Sequence, residues 1–405
     1  MEEGCGGRDC IRAVAREGGE VRAGKVDAGG ARRVTTTLRE KFRGCIAGSW
    51  IGSAMGAAVE GWSREDIKKK CGVLDRLLPY AHYTEETEWE RPPGTTEDGI
   101  ERQKLIATAI IEKQDRILAH DLVAIWLRDL EPGRMMYKQE RFDRSLLELA
   151  RAGVPPCELG RLWPYPNVVS LARGSHPLGL INAGDPEGAA DDCFEVGKVY
   201  MRETAFGMRW AALYNAAIAE ACKPEATVAS VLEVAKRFVH YRAEAGSLYA
   251  LYDTIEMEIK QALELAGKHR DAMAMRDEFY QYYEGGDYFN YGMSQANEIV
   301  SKGLAVFAIS KGDPKEAILT SVNFGRDTDC LAAIAGGLAG ALSGTQTIPQ
   351  EWTDQVNEAT NQDPYTNNGR SIEETADGLL DAFRARRKRM ADYVSRMGDA
   401  VYLGG

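Results

Sequence analysis

Apolar residues recur at helical spacing along most of the chain. Between Asp98 and Lys113, Ile100, Leu105, Ile106, Ala109 and Ile110 fall on one helical face. Leu122 to Leu130, Met208 to Cys222, Thr227 to Tyr241, Tyr249 to Ala266, Ser294 to Ile309, Leu331 to Leu342 and Thr375 to Met397 repeat the pattern, and Arg43 to Val59 is small and apolar. Alternating β-branched runs, the mark of half-buried strands, are nearly absent. Breakers gather at Arg91-Pro92-Pro93-Gly94, Gly153-Val154-Pro155-Pro156, Trp163-Pro164-Tyr165-Pro166 and Gly285-Gly286-Asp287, where they separate helices rather than domains. No fixed-period repeat is present, which disfavours a solenoid. The pattern predicts one all-α domain over residues 36–400. Residues 1–35, rich in Gly, Ala and charge, predict a tail that is disordered or foreign to the fold.

Two predicted helices carry a stripe of glycine. Gly44, Gly48, Gly52 and Gly56 recur every fourth residue, and Gly336, Gly340 and Gly344 do the same. An interior glycine costs a helix about 0.5–1 kcal/mol relative to alanine, so seven of them need a compensating contact. Close approach of two backbones supplies one: tightly packed core helices whose contact also fixes their ends in register. A pair of membrane spans is excluded, because Ser49, Trp50 and Ser53 interrupt a stretch already too short.

Charge and cysteine usage narrow the chemistry. The chain has 405 residues, with 50 Lys+Arg against 61 Asp+Glu and a net charge of −11. That balance argues against a nucleic-acid phosphate binder and against docking on anionic membrane. The basic run from Arg384 to Arg389 lies on a helix of polar spacing and reads as a solvated face. Eight scattered cysteines without a C-x-x-C pair, and only 5 histidines, make a zinc ribbon improbable. The first residues lack the basic and apolar regions of a secretory signal, which together with the scattered thiols points to a reduced, cytoplasmic protein.

Three acidic groups stand at predicted helix ends. Glu60 follows the first glycine stripe, Thr95-Thr96-Glu97-Asp98-Gly99 opens the helix after Pro92-Pro93-Gly94, and Asp327-Thr328-Asp329-Cys330 precedes the second stripe. Each is also compatible with an ordinary cap or a surface acid. Together they supply a hard-oxygen, histidine-free ligand set, which suits Mg²⁺, Mn²⁺ or Ca²⁺ better than zinc.

These residues, in this order from about Phe42 to Gly344, resemble the ADP-ribosylglycohydrolase family, which includes dinitrogenase-reductase-activating glycohydrolases and the J1 crystallins. The resemblance implies an orthogonal multi-helix bundle with a metal cleft at the helix ends, holding Mg²⁺ or Mn²⁺ as a pair or as a single ion. Thr96, Glu97, Asp98, Asp327 and Asp329 would be the ligands, with Cys330 a soft and poorly matched sixth. Glu60, with Asp98, would be the catalytic carboxylate. The segment Leu171-Ala172-Arg173-Gly174-Ser175-His176-Pro177-Leu178-Gly179 resembles the substrate loop, which puts Ser175 and His176 against substrate. Asn182, Asn323, Arg326, Tyr288 and Tyr291 are further substrate-contact candidates. The usual pattern is altered at Glu97, Gly99, Arg326 and Cys330. The implied activity is metal-dependent cleavage of a ribosyl glycosidic bond, foremost in an ADP-ribosyl conjugate. An N-ribosidase acting on a small nucleoside-like substrate and a non-catalytic crystallin-like relative remain as alternatives. The oligomeric state stays open.

Overall fold

The computed structural model describes residues 36–80, 89–135, 141–243, 254–285 and 294–397, without the side chains of 141, 142 and 282–285. Among them helices account for all regular structure, and the single β contact is an isolated bridge between Val168 and Gln295. No described helix is long and apolar enough to cross a membrane. Residues 1–35, like Tyr288 and Tyr291, lie outside the described residues.

The first glycine helix, Leu38–Ala57, starts where its sequence says it should. Thr37 accepts a hydrogen bond from the Glu40 amide, and the Glu40 carboxylate accepts one from the Thr37 amide, which satisfies two otherwise orphaned donors. The helix is buried on nearly every side. Even Lys41 is enclosed, where its ammonium donates to the carbonyls of Ala221 and Lys223 at 2.7 and 2.9 Å and so caps the end of the helix Phe206–Ala221.

The second glycine helix, Thr328–Ser343, lies antiparallel against it. Gly44 meets the backbone of Gly340 and Gly344, Gly48 meets Gly336, Gly52 meets Ala332, and Gly56 meets Asp329. A Cβ at Gly44 would stand 2.6 Å from the Gly344 Cα, closer than real side chains come. The seam is therefore backbone against backbone, and any side chain there must push the helices apart. Its register has a functional result: the last turn of the first helix is held beside the first turn of the second.

The helix Asp98–Lys113 keeps the predicted bounds. The second glycine helix begins earlier than its apolar pattern, at Thr328 rather than Leu331, because Asp327 serves as N-cap and accepts from the Cys330 amide at 3.3 Å. The helices Pro186–Gly197 and Pro314–Val322 were not legible as apolar stripes, although each is opened by an Asp cap followed by Pro. Arg384, Arg387, Lys388 and Arg389 of the basic run lie exposed on the C-terminal helix, Ile372–Met397, as a solvated face does, and Arg386 is the exception. Arg386 turns inward and donates to the Ile181 carbonyl and the Asn182 side chain, both at 2.8 Å, which ties that helix to the body.

Candidate metal and glycosidase centre

Three backbone devices assemble the site. Gly56 brings the two glycine helices so close that a Cβ there would stand 2.5 Å from the Asp329 Cα and amide nitrogen. Thr328 Oγ1 donates to the Gly56 carbonyl at 2.8 Å. The turn after Glu60 pairs with the loop before Asp327, through Gly61 N to Arg326 O and Arg326 N to Trp62 O, both 2.8 Å. Gly325 and Arg326 both hold positive φ to make that pairing, which for Arg326 is a conformation few side chains accept. Glu60 is thereby fixed at the rim of the cluster, half-buried, within electrostatic reach of Asp98, Asp327 and Asp329.

Asp98 and Glu97 come from the helix Asp98–Lys113. Glu97 is its N-cap and accepts from the Gly99 amide at 3.3 Å and from Ser53 Oγ at 2.9 Å. Asp98 is held by Arg102 at 2.7 Å, and Arg102 is in turn anchored on Asp143 at 2.6 Å. Thr96 is buried beside them.

Sequence reasoning missed the residue at the centre. Arg173 lies in the short helix Ser170–Gly174, one residue before its end, and its side chain is only 3% exposed. Its guanidinium pairs with Glu97, reaches Asp329 at 2.7 Å and Asp98 at 3.6 Å, and lies 3.0 Å from the Cys330 sulfur and 3.1 Å from Ser53 Oγ. A Cβ on Gly99 would stand 2.6 Å from the Arg173 Cδ, so the absence of a side chain at Gly99 makes room for it. Glu97, Gly99 and Cys330, three of the four positions where the motifs are altered, all touch this arginine. Those alterations, together with the surplus of carboxylates, were the available signal for a buried cation partner.

The charges shift one another. Burial, then Asp329 and Asp327, holds the Glu60 carboxyl well above the usual carboxylate range, with Arg173 opposing. Burial and the neighbouring Asp329 do the same to Asp327. Burial pushes the Cys330 thiol up, again against Arg173. Burial alone would lower the guanidinium's own value, but Asp329, Cys330, Asp327 and Glu60 more than offset it, so Arg173 stays charged.

The substrate-contact expectations fare differently. Ser175 and His176, expected against substrate, are fully enclosed. Ser175 receives the Asn215 amide at 2.6 Å, and His176 lies within hydrogen-bonding distance of Gln103, the Arg173 carbonyl, the Ala333 carbonyl and the Tyr214 hydroxyl. Asn182 is likewise enclosed, bonded to the Leu178 carbonyl, Asp192 and Arg386, on the side where the first glycine helix begins rather than where it ends at the cluster. Asn323 clamps Leu74 through both its backbone groups at 2.8 Å, a structural use of a side chain expected to meet substrate. Arg326 forks onto the buried Glu298 at 2.7 and 3.0 Å, which leaves it at the edge of the cluster rather than inside it.

Comparison with known proteins agrees with this architecture. The ADP-ribosylglycohydrolase family profile matches residues 34–389, and the chain belongs to that family. It is therefore a hydrolase of the glycosidase class. It is 23% identical over 320 residues to the uncharacterised protein YegU of Escherichia coli, covering 76% of this chain and 89% of that one. It is also 23% identical over 336 residues to an uncharacterised protein of Archaeoglobus fulgidus, covering 78% and 91%. A solved structure titled an ADP-ribosylglycohydrolase-related protein complex shares the fold, with a TM-score of 0.58 at 18% identity, over 86% of this chain and 98% of that one.

The family is generally metal-dependent, and a candidate cluster for one ion is present. Asp327, Asp329 and Cys330 each offer a ligand atom within 4.8 Å of the others. Two buried oxygens there, Asp327 Oδ2 and Asp329 Oδ1, meet no hydrogen-bond donor, as expected of atoms shaped for a cation. The residues fit one ion on that side.

Proposed function

We propose that this chain cleaves a ribosyl glycosidic bond in an ADP-ribosyl conjugate, with the Glu60–Asp98–Asp329 cluster as its reacting centre. The observation that carries the reading is the convergence of carboxylates from three distant segments, in a chain of this family, around one buried charge. Mg²⁺ or Mn²⁺ held by Asp327 and Asp329, with Cys330 as a weak third ligand, would supply Lewis-acid polarisation of the sugar's hydroxyl groups. The chain's own groups do the rest. Glu60, half-buried at the rim with its acid form favoured, donates a proton to the departing group. As the glycosidic bond breaks, positive charge grows on the ribose, and the nearby carboxylates stabilise that oxocarbenium-like state. Asp98, steadied by Arg102, orients water for attack on the anomeric carbon, and the proton that water gives up returns to the Glu60 carboxylate left by the first step.

The test is to incubate the full chain, with MgCl₂ or MnCl₂ present, with an ADP-ribosylated peptide and with a panel of nucleosides. Release of ADP-ribose from the peptide is the expected result. Free ribose from nucleosides alone would move the substrate to a small N-riboside. No release from either would leave a non-catalytic relative.

A further inference from the structure

We infer that Arg173 is a resident cation, taking the place of one of two divalent ions among Glu97, Asp98 and Asp329 and limiting the site to a single exchangeable ion beside Asp327. The inference relies on the reading above for what the site does, but not for what it holds. A divalent ion on this side would need the oxygens of Glu97 and Asp329, and the guanidinium already takes one from each. Guanidinium and metal compete for the same lone pairs, and a like charge so close would repel the second ion.

Arg173 is built in rather than draped over the site. Its carbonyl accepts from Gln103 Nε2 at 2.8 Å and lies 3.0 Å from His176 Nδ1. Gln103 also donates to Ser49 on the first glycine helix at 2.7 Å, and His176 reaches the Ala333 carbonyl on the second at 3.2 Å. The segment carrying the arginine is thus pinned to both glycine helices, and Gly99 leaves the space its side chain fills. On the other side of Asp329, the two oxygens without donors mark where a single ion goes.

The experiment titrates MnCl₂ into chelator-stripped full-length protein by calorimetry, with electron paramagnetic resonance counting bound Mn²⁺. Wild type binds no more than one ion per chain. Arg173→Gln, which frees the carboxylates without adding charge, binds one more ion than wild type. Arg173→Lys keeps the wild-type count. Gly99→Ala, whose Cβ would displace the guanidinium while leaving its charge in the chain, also binds one more ion than wild type, more weakly than Arg173→Gln does. Two ions of comparable affinity in wild type would overturn the inference, as would an unchanged count in an Arg173→Gln protein whose circular dichroism matches wild type. Should Arg173→Gln fail to fold, the wild-type count and Gly99→Ala decide the matter. Loss of the proposed activity with the ion count as described would sink the functional reading alone, whereas sugar release by a wild-type protein holding two ions would sink only this inference.

Discussion

Two arginine–carboxylate clusters stand near opposite ends of the same glycine-packed helix pair, and they are opposites in design. At the start of the first helix, Arg39 and Arg43 both fork onto Asp377 of the C-terminal helix at 2.6 Å, in a setting where Arg39 is 56% exposed. At the other end, one arginine lies among several carboxylates, almost wholly out of water. Exposed pairs are screened and contribute little, while removing one partner of a buried pair leaves an uncompensated charge. The outer cluster fastens a helix. The inner one accumulates negative charge that folding alone does not call for, and a cluster of that kind is where chemistry on a cationic transition state belongs.

A substitution in the seam between the clusters should damage both. Gly48→Val forces a branched side chain against the Gly336 backbone. Overpacking of a core costs about 1–3 kcal/mol and occasionally more, and the rigid backbone here puts this case at the upper end. Urea unfolding should show a large fall in stability, with both ends of the helix pair affected. Unchanged stability would mean the seam is loose and does not set the register of the site.

The second break concerns the network behind Arg173. Burial pulls the His176 imidazole down from its usual 6.5 to about 4, against the carbonyls of Ala333 and Arg173. Between those values the folded protein keeps it neutral while the unfolded chain takes a proton. This contribution is therefore fully present above pH 6.5 and is lost as the pH falls towards 4. A shift from 6.5 to about 4 corresponds to about 3 kcal/mol. The stability difference between wild type and His176→Gln should narrow by about that amount over this window. Glu60 and Asp327, raised rather than lowered, carry slopes of the opposite sign, but they are present in both proteins and cancel in the difference. A difference independent of pH would mean that the imidazole is not held neutral.

The smallest effect belongs to the outer cluster. The bonds from Arg39 and Arg43 hold the Asp377 carboxyl below the usual carboxylate range, so its contribution is present at neutral pH and lost as the pH falls through its folded value. Asp377→Asn should nonetheless move the melting temperature by only about 2 °C at neutral pH, because the pair is screened. A much larger fall would erase the contrast between the two ends.

How far the sequence could be read follows the same division. The glycine period foretold a backbone seam because only close approach offsets what glycine costs a helix. Apolar periodicity located most helices because burial acts on one face at a time. The acidic helix ends were visible because caps and ligands draw on the same residue types. Arg173 was not visible: its partners lie at Glu97, Asp98 and Asp329, and in its own segment it looks like any loop arginine. The buried bonds of Ser175, His176, Asn182 and Asn323 were hidden for a related reason. A polar residue in a Gly- and Pro-rich stretch can face substrate or satisfy a buried carbonyl, and only the packing of distant helices decides which.

The most direct test of the reacting centre adds Glu60→Gln to the peptide assay described above. General acid–base groups contribute roughly 10²–10⁴-fold, so release of ADP-ribose should fall by about that factor. The variant should remain folded, since the substitution removes a carboxyl whose charged form burial already disfavours. A folded Glu60→Gln protein that releases ADP-ribose at the wild-type rate would contradict the account.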